Sequence, residues 1–256
     1  MLNANHITVR FGGLVAVSDV SLAIQKGTIH SVIGPNGAGK STLFNAISGM
    51  YKPAVGNILF KGDDITGLAP DAIARKGIGR TFQNIKLFSH LSVLENVMSG
   101  FHITTTSSLF DDLFHTRKQR KEAHAQEEQA ISLLHEVGLS GVIYKPAGNL
   151  PYGAQRKLEI VRAIASNPAL LLLDEPAAGM NPKETEELQN FIVELRDKGF
   201  TVLLIEHHVR MVMAIADAIS VLDHGAKIAE GNREEIQSNE KVIEAYLGKS
   251  YGRRTK

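Results

Sequence analysis

The run Gly34-Pro35-Asn36-Gly37-Ala38-Gly39-Lys40-Ser41 sets two glycines five apart and follows them with a lysine and a hydroxyl. That is the P-loop pattern, and its chemistry is the binding of a nucleoside triphosphate. Successive backbone N–H groups have to turn inward around phosphate oxygens, which small or φ-permissive residues such as Gly37, Ala38 and Gly39 allow. Lys40 brings a point charge for the β- and γ-phosphates and Ser41 a ligand for Mg²⁺. Thr42 lies in the opening turn of a helix whose positive end faces the phosphates. A chance glycine turn before a helix is the plain alternative. The flanks predicted here, a strand over 28–33 and a helix over 42–48 stopped by Gly49, weigh against it.

The second chemical group is Leu170-Leu171-Leu172-Leu173-Asp174-Glu175. Four apolar residues predict a buried strand that carries a carboxylate at its carboxyl end, where ligands of open α/β sheets lie. There Asp174 would hold Mg²⁺ through its water shell, and Glu175 would accept a proton from, or orient, the water attacking a γ-phosphate. Two acids after an apolar strand are weak evidence alone. Downstream of a P-loop, with a helical stretch between, they gain a role.

These groups need a scaffold, and the pattern around them predicts one. Residues 5–10, 20–24 and 57–60 are strand-like, 61–64 a turn, and a short helix begins at Pro70 or Asp71 before extended structure over 78–82. From about 87 to 165 the texture is helical. Ser92 and Glu95 have capping-box spacing, 104–108 is a polar break, and 117–137 is a charged helix ended by Gly138. Its basic start, Arg117, Lys118, Arg120 and Lys121, reads as a solvated face rather than a partner patch. After Pro168 strands and helices alternate, as in a parallel sheet covered by helices. Residues 182–198 form a helix with Asn181 as N-cap, Pro182 at its first position and Leu188, Phe191, Ile192 and Leu195 on its core face. A strand over 201–205 and a helix over 208–216 follow, the latter with Val209, Val212, Met213 and Ala216 on one side.

Composition narrows the class. A chain of 256 residues can bury a large interior. Its longest apolar run, 169–173, is far short of the roughly 18 residues of a membrane-spanning helix. With no cysteine, no disulfide framework exists, and Met1-Leu2-Asn3-Ala4-Asn5 lacks the features of a secretory signal, so the cytoplasm is expected. A net charge of +1 gives no reason to propose nucleic acid as a partner.

Taken together, Gly34 to Ser41, Gln83 in Thr81-Phe82-Gln83, Leu150-Pro151-Tyr152-Gly153-Ala154-Gln155, Asp174-Glu175-Pro176 and His207 resemble the ATP-binding cassette of ABC transporters in order and spacing, over nearly the whole chain. The resemblance implies an α/β fold of the P-loop NTPase, ABC type. It has an N-terminal antiparallel β-subdomain, a core subdomain over 1–86 and 166–256 and a helical subdomain over 87–165. It also implies a head-to-tail dimer closing on two ATP molecules, with Mg²⁺. By the same resemblance Gln83 is the hinge glutamine that touches Mg²⁺, His207 the switch histidine of the γ-phosphate, and Phe11 an aromatic ring against adenine. Tyr152 and Gly153 belong to the signature segment that meets the ATP of the opposite subunit. Here Pro151, Tyr152 and Ala154 depart from the common Leu-Ser-Gly-Gly-Gln, so backbone N–H groups near Gly153 and a helix dipole must stand in for a serine hydroxyl.

The stretch Glu175-Pro176-Ala177-Ala178-Gly179-Met180-Asn181 and the closing Ala245-Tyr246-Leu247-Gly248 resemble the ATP-binding subunits of branched-chain amino-acid importers, and the insert over 101–120 the larger of the two. This implies integral-membrane permease subunits and a dimer, either homodimer or heterodimer with a sister ATPase. It also implies an indirect link to a periplasmic or extracellular substrate-binding protein, and a peripheral position on the cytoplasmic face of the inner membrane. Urea or amide importers and the lipopolysaccharide-export ATPase share much of the pattern, and a soluble ABC ATPase or an ATP-sensing module stays open as an alternative. The basic tail 249–256 reads as a solvated terminus rather than a lipid contact.

Overall fold

The computed structural model describes residues 1–103 and 117–247. The polar break expected over 104–108, most of the insert 101–120, Gly248 and the basic tail lie outside the described residues. The chain divides into two compact units, one of residues 1–80 with 170 onward and one of 81–169.

The first unit holds two sheets. β1 (Leu2–Phe11), β2 (Leu14–Ile24), β4 (Val55–Phe60) and β5 (Asp63–Asp64) form an antiparallel sheet in the order β2-β1-β4-β5. The turn expected over 61–64 is shorter than predicted. Only Lys61 and Gly62 turn, both at positive φ, and Asp63 and Asp64 go back to pair with Phe60 and Leu59. The second sheet runs β10 (Ala226–Gly231), β9 (Ala218–Asp223), β3 (Ile29–Ile33), β8 (Thr201–Ile205), β7 (Leu170–Asp174) and β6 (Ile78–Arg80). It is parallel from β9 to β6, and β10 folds back antiparallel on β9.

Every residue of β3, β7 and β8 is buried, which is why these segments read as unbroken apolar runs rather than alternating ones. Burial of a leucine side chain is worth about 1.5–3 kcal/mol, so Leu170 to Leu173 anchor the sheet. α1 (Lys40–Ile47) follows β3 directly, and α2 (Pro70–Arg75) starts at its proline. α6 (Pro182–Asp197) buries Leu188, Phe191, Ile192 and Leu195 as the spacing predicted. Its Asn181 cap is reciprocated by Glu184. α7 (Val209–Ile215), α8 (Arg233–Ser238) and α9 (Glu240–Leu247) complete the unit.

The second unit is built on α3 (Val93–Gly100), α4 (Arg117–Glu136) and α5 (Tyr152–Ala165). The Ser92 hydroxyl accepts the Glu95 N–H (3.1 Å) and the Glu95 carboxylate accepts the Ser92 N–H (2.7 Å), a complete capping box. Arg120 and Lys121 are exposed, as expected of a solvated face.

His30 stands in the middle of β3, buried, with its Nε2 2.9 Å from the Ser220 hydroxyl of β9. Burial pushes its imidazole down to about 4, with the Glu230 carboxylate opposing that shift and the Lys227 ammonium adding to it. A base lowered on folding adds stability that is whole above its unfolded pKa of about 6.5 and is lost as pH falls toward 4. This site is therefore expected to remove about 1 kcal/mol between pH 7.5 and 5.5. Urea titrations at the two pH values should show that increment in the wild type and lack it in His30→Gln.

Candidate functional site

The chain leaves β3 at Ile33 and wraps through residues 34–39 into α1 at Lys40. Two glycines there are sterically compulsory. A Cβ on Gly34 would sit 2.1 Å from the Leu222 carbonyl oxygen, and one on Gly39 2.6 Å from that of Ala16. The loop forms one wall of a cavity of about 590 Å³ that is lined by residues 36–42 together with Leu14, Val15, Ala16, Glu175, His224 and Gly225. That volume lies within the ordinary range of small-molecule sites. His224 and Gly225 are the two-residue turn joining β9 and β10, with φ of 45° and 81°, the signs of a type I′ hairpin. The Gly225 N–H donates to the Ala38 carbonyl (3.1 Å) and the Gly225 carbonyl accepts the Ser18 N–H (2.8 Å).

Lys40 is buried, and its ammonium donates to the carbonyls of Gly34 (2.7 Å) and Pro35 (2.9 Å). Burial lowers its pKa, while Glu175 and Asp174 push the other way, so both carboxylates lie within electrostatic reach of it. Asp174 ends β7, buried, with Oδ2 3.2 Å from an Arg80 guanidinium nitrogen; Arg80 also donates to Asn45 (2.8 Å) and to the Ser48 hydroxyl of α1. The next residue, Glu175, takes a left-handed φ of 46°, and its N–H bonds the Ile205 carbonyl (2.9 Å) at the end of β8. His207 lies just past β8 with Nδ1 3.8 Å from Glu175 Oε2. Asp174, Glu175 and His207 thus leave two adjacent strands at one end of the sheet, beside the P-loop leaving β3.

Glu206 is fully buried and accepts three backbone N–H groups, from Ala177 (2.9 Å), His207 (3.1 Å) and His208 (3.2 Å). It ties the turn after Glu175 to the turn bearing His207. Its signal, an apolar strand ending in an acid, is the one that marks Asp174.

Gln83, Tyr152 and Gly153 lie in the second unit. There Arg156 of α5 is fully buried, and its guanidinium donates to the carbonyls of Phe82 (2.8 Å) and Gln83 (2.7 Å), to the Tyr152 phenol (3.2 Å) and to the Glu159 carboxylate (2.8 Å). One side chain therefore fixes the backbone at Gln83 to the first turn of α5. No side chain caps that turn, and its preceding residue is Pro151. Nothing in residue type alone distinguishes Arg156 from its neighbour Lys157. Phe11 is exposed at the end of β1, edge-on to Tyr51 with ring centroids 5.1 Å apart. It is not among the residues lining the cavity; Leu14 and Val15, just across the β1–β2 turn, are.

A family model described as "ABC transporter" matches residues 17–178. The chain belongs to the ABC transporter family. A second model, "Branched-chain amino acid ATP-binding cassette transporter", matches residues 226–251. The chain is 45% identical over 251 residues to the high-affinity branched-chain amino acid transport ATP-binding protein BraF of Pseudomonas aeruginosa, covering 98% of each. To LivG of Escherichia coli K12, of the same description, it is 44% identical over the same share. Among solved structures, a nucleotide-free ATP-binding cassette from an ABC transporter aligns with TM-score 0.84 at 36% identity, covering 97% of this chain and 99% of that one. The ADP conformation of such a cassette aligns with TM-score 0.85 at 36% identity and the same coverage. Within the ABC family this chain is the ATP-binding, ATP-hydrolysing type of subunit. The α/β architecture with its separate antiparallel sheet, expected from sequence, is that of the cassette.

Arg156 gives a direct test of the second unit. Arg156→Met would leave the Glu159 carboxylate buried without its guanidinium, and breaking such a pair costs about 3–5 kcal/mol. Chemical denaturation should register a loss of that order, against less than about 1 kcal/mol for Lys157→Met on the same helix.

Proposed function

We propose that this chain powers an importer of branched-chain amino acids by hydrolysing ATP in the P-loop cavity. The observation that carries the hydrolytic reading is Glu175 on the wall of the same cavity as Lys40 and Ser41. The cargo reading is supported by the descriptions of BraF and LivG and by the match over 226–251.

The residues divide the work as follows. Backbone N–H groups of 36–41 and the α1 N-terminus cradle the β- and γ-phosphates, and Lys40 exchanges its carbonyl partners for phosphate oxygens. Glu175 takes the proton of the attacking water as its oxygen bonds to the γ-phosphorus and the bridging oxygen leaves with ADP. His207 holds the γ-phosphate from the side of β8, and Glu206 keeps His207 and the turn after Glu175 in register. The hydroxyl of Ser41 and the carboxylate of Asp174 are hard oxygen donors near Lys40, the donor type Mg²⁺ takes, and Gln83 is the third donor in this reading. Mg²⁺ bound there would neutralise charge on the phosphates. Leu14 and Val15 offer an apolar edge for the base, with Phe11 beside them.

Tyr152 and Gly153 would face the ATP of a second subunit, either a copy of this chain or a sister ATPase, through the N–H groups at the start of α5. The unit of residues 81–169 acts as the helical subdomain and passes dimer closure to integral-membrane permease subunits through the region following Gln83. Among the described residues no helix is long and apolar enough to cross a membrane, so the spanning part belongs to those partners. The chain would sit peripherally on the cytoplasmic face of the membrane, served from the other side by a substrate-binding protein.

Glu175→Gln is expected to lower ATP turnover by at least 100-fold while ATP affinity stays within about threefold, the pattern of a lost general base. Uptake of labelled leucine in cells carrying only that variant should stop at normal expression. If leucine uptake is untouched while turnover collapses, the cargo is another solute, with urea, amides or export as the next assays. If turnover itself persists, the hydrolytic assignment to Glu175 is wrong.

A further inference from the structure

Arg80 is the last residue of β6 and stands in register with Leu172 of β7, two positions before Asp174. The strand period of two therefore puts Arg80 and Asp174 on one face of the sheet. The guanidinium bonds in two directions from there. Towards β7 it donates to Asp174 Oδ2 at 3.2 Å, and towards α1 it donates to the Asn45 amide oxygen at 2.8 Å and to the Ser48 hydroxyl. That hydroxyl spends its own proton on the Phe44 carbonyl (3.0 Å), so its oxygen is the acceptor in the bond from Arg80. The Phe44 ring lies 5.8 Å from the guanidinium carbon. With the Arg80 side chain 12% exposed and that of Asp174 6%, water and salt screen the pair little.

Ser41, Asn45 and Ser48 succeed one another at intervals of four and three residues, the spacing of one helix face. Arg80 thus grips α1 along the face on which Ser41 stands. Ser41 and Asp174 are the hydroxyl and the carboxylate offered to Mg²⁺, one from a helix and one from a strand. Mg²⁺ demands oxygens at about 2.0–2.1 Å in near-octahedral order, whereas Ca²⁺ accepts about 2.3–2.6 Å and looser shells. Preference for the smaller ion therefore depends on how firmly α1 is spaced from the end of β7. A planar guanidinium bonded to both is a stiff spacer, which a single ammonium on a flexible stem is not.

We propose that Arg80 is a positioning residue of the metal site: by bridging Asp174 to Asn45 and Ser48 it sets the spacing of the two oxygen donors, so that the nucleotide site takes Mg²⁺ in preference to a larger divalent cation. The inference rests on the reading of the P-loop cavity as a site for ATP with Mg²⁺, and deepens it. Arg80 acts through Asp174 and α1, without touching metal or nucleotide.

The test uses two variants of the full chain. Arg80→Lys keeps the charge and loses the bridge; Asn45→Ala with Ser48→Ala keeps the Arg80–Asp174 pair and cuts the bridge at its other end. Titration calorimetry with a non-hydrolysable ATP analogue is run in EDTA, with saturating Mg²⁺ and with saturating Ca²⁺. In both variants the dissociation constant with Mg²⁺ should rise about tenfold, as for the loss of a hydrogen bond to a charged group. The values in EDTA and with Ca²⁺ should stay within about twofold of wild type, so discrimination between the two ions falls by about the same tenfold. A merely structural role would weaken all three conditions alike, and that result overturns the proposal. So does Arg80→Lys behaving as wild type, since charge alone would then suffice, or a double alanine variant with unchanged affinity in Mg²⁺. If Arg80→Lys does not fold, the double alanine variant decides by the same readings. A wild type that binds the analogue no better with Mg²⁺ than in EDTA, or not at all, overturns instead the assignment of the cavity.

Discussion

The approach of the Gly34 backbone to the Leu222 carbonyl decides where the rest of the first unit can lie. At that separation no side chain fits, so the P-loop is pressed against β9 at its first residue and, through Gly39, against β2 near its last. Between those two fixed points the loop has little freedom, because several of its carbonyls are already engaged. Lys40 takes two of them and Gly225 a third. Preorganisation of this kind lets a loop bind phosphate without first ordering itself, which would otherwise weaken binding.

At three places among the described residues a buried charge ties a functional residue to the scaffold. Arg80 spans Asp174 and α1, so the acid at the end of β7 and the helix behind the P-loop share one guanidinium. Glu206 gathers the N–H groups of two turns that carry Glu175 and His207. Arg156 links Gln83 to α5. Ion pairs cut off from water seldom stabilise more than an apolar replacement of the same shape, and their specificity is geometric. All three act on backbone or on a neighbouring helix, fixing angles that apolar packing alone would leave loose.

Much of this was legible in the residues. The fully buried strands β3, β7 and β8 show as apolar runs, Asn181-Pro182 and Ser92 mark helix starts, and the glycine spacing of 34–39 names its own chemistry. What escaped depends on contacts across long sequence separation. The β9–β10 hairpin has a weakly patterned second strand, half-buried rather than alternating, and its His224-Gly225 turn is recognisable as part of the site only once it is seen against Ala38. Arg156 carries no local mark of its role because the two carbonyls it holds, those of Phe82 and Gln83, lie more than seventy residues away. Paired aspartates favour turns, so residue type alone extends the turn over 61–64; in the fold β4 offers Asp63 and Asp64 a strand to pair with, and that overrides the preference.

The Gly225 contacts have one more implication. Ser18 belongs to the antiparallel sheet and Gly225 to the edge of the parallel one, and their hydrogen bond sits next to the bond from Gly225 to Ala38. The two sheets are therefore stitched together at the phosphate loop itself. Any shear of one sheet past the other would have to break that bond, so relative movement of the two sheets would be felt at the loop.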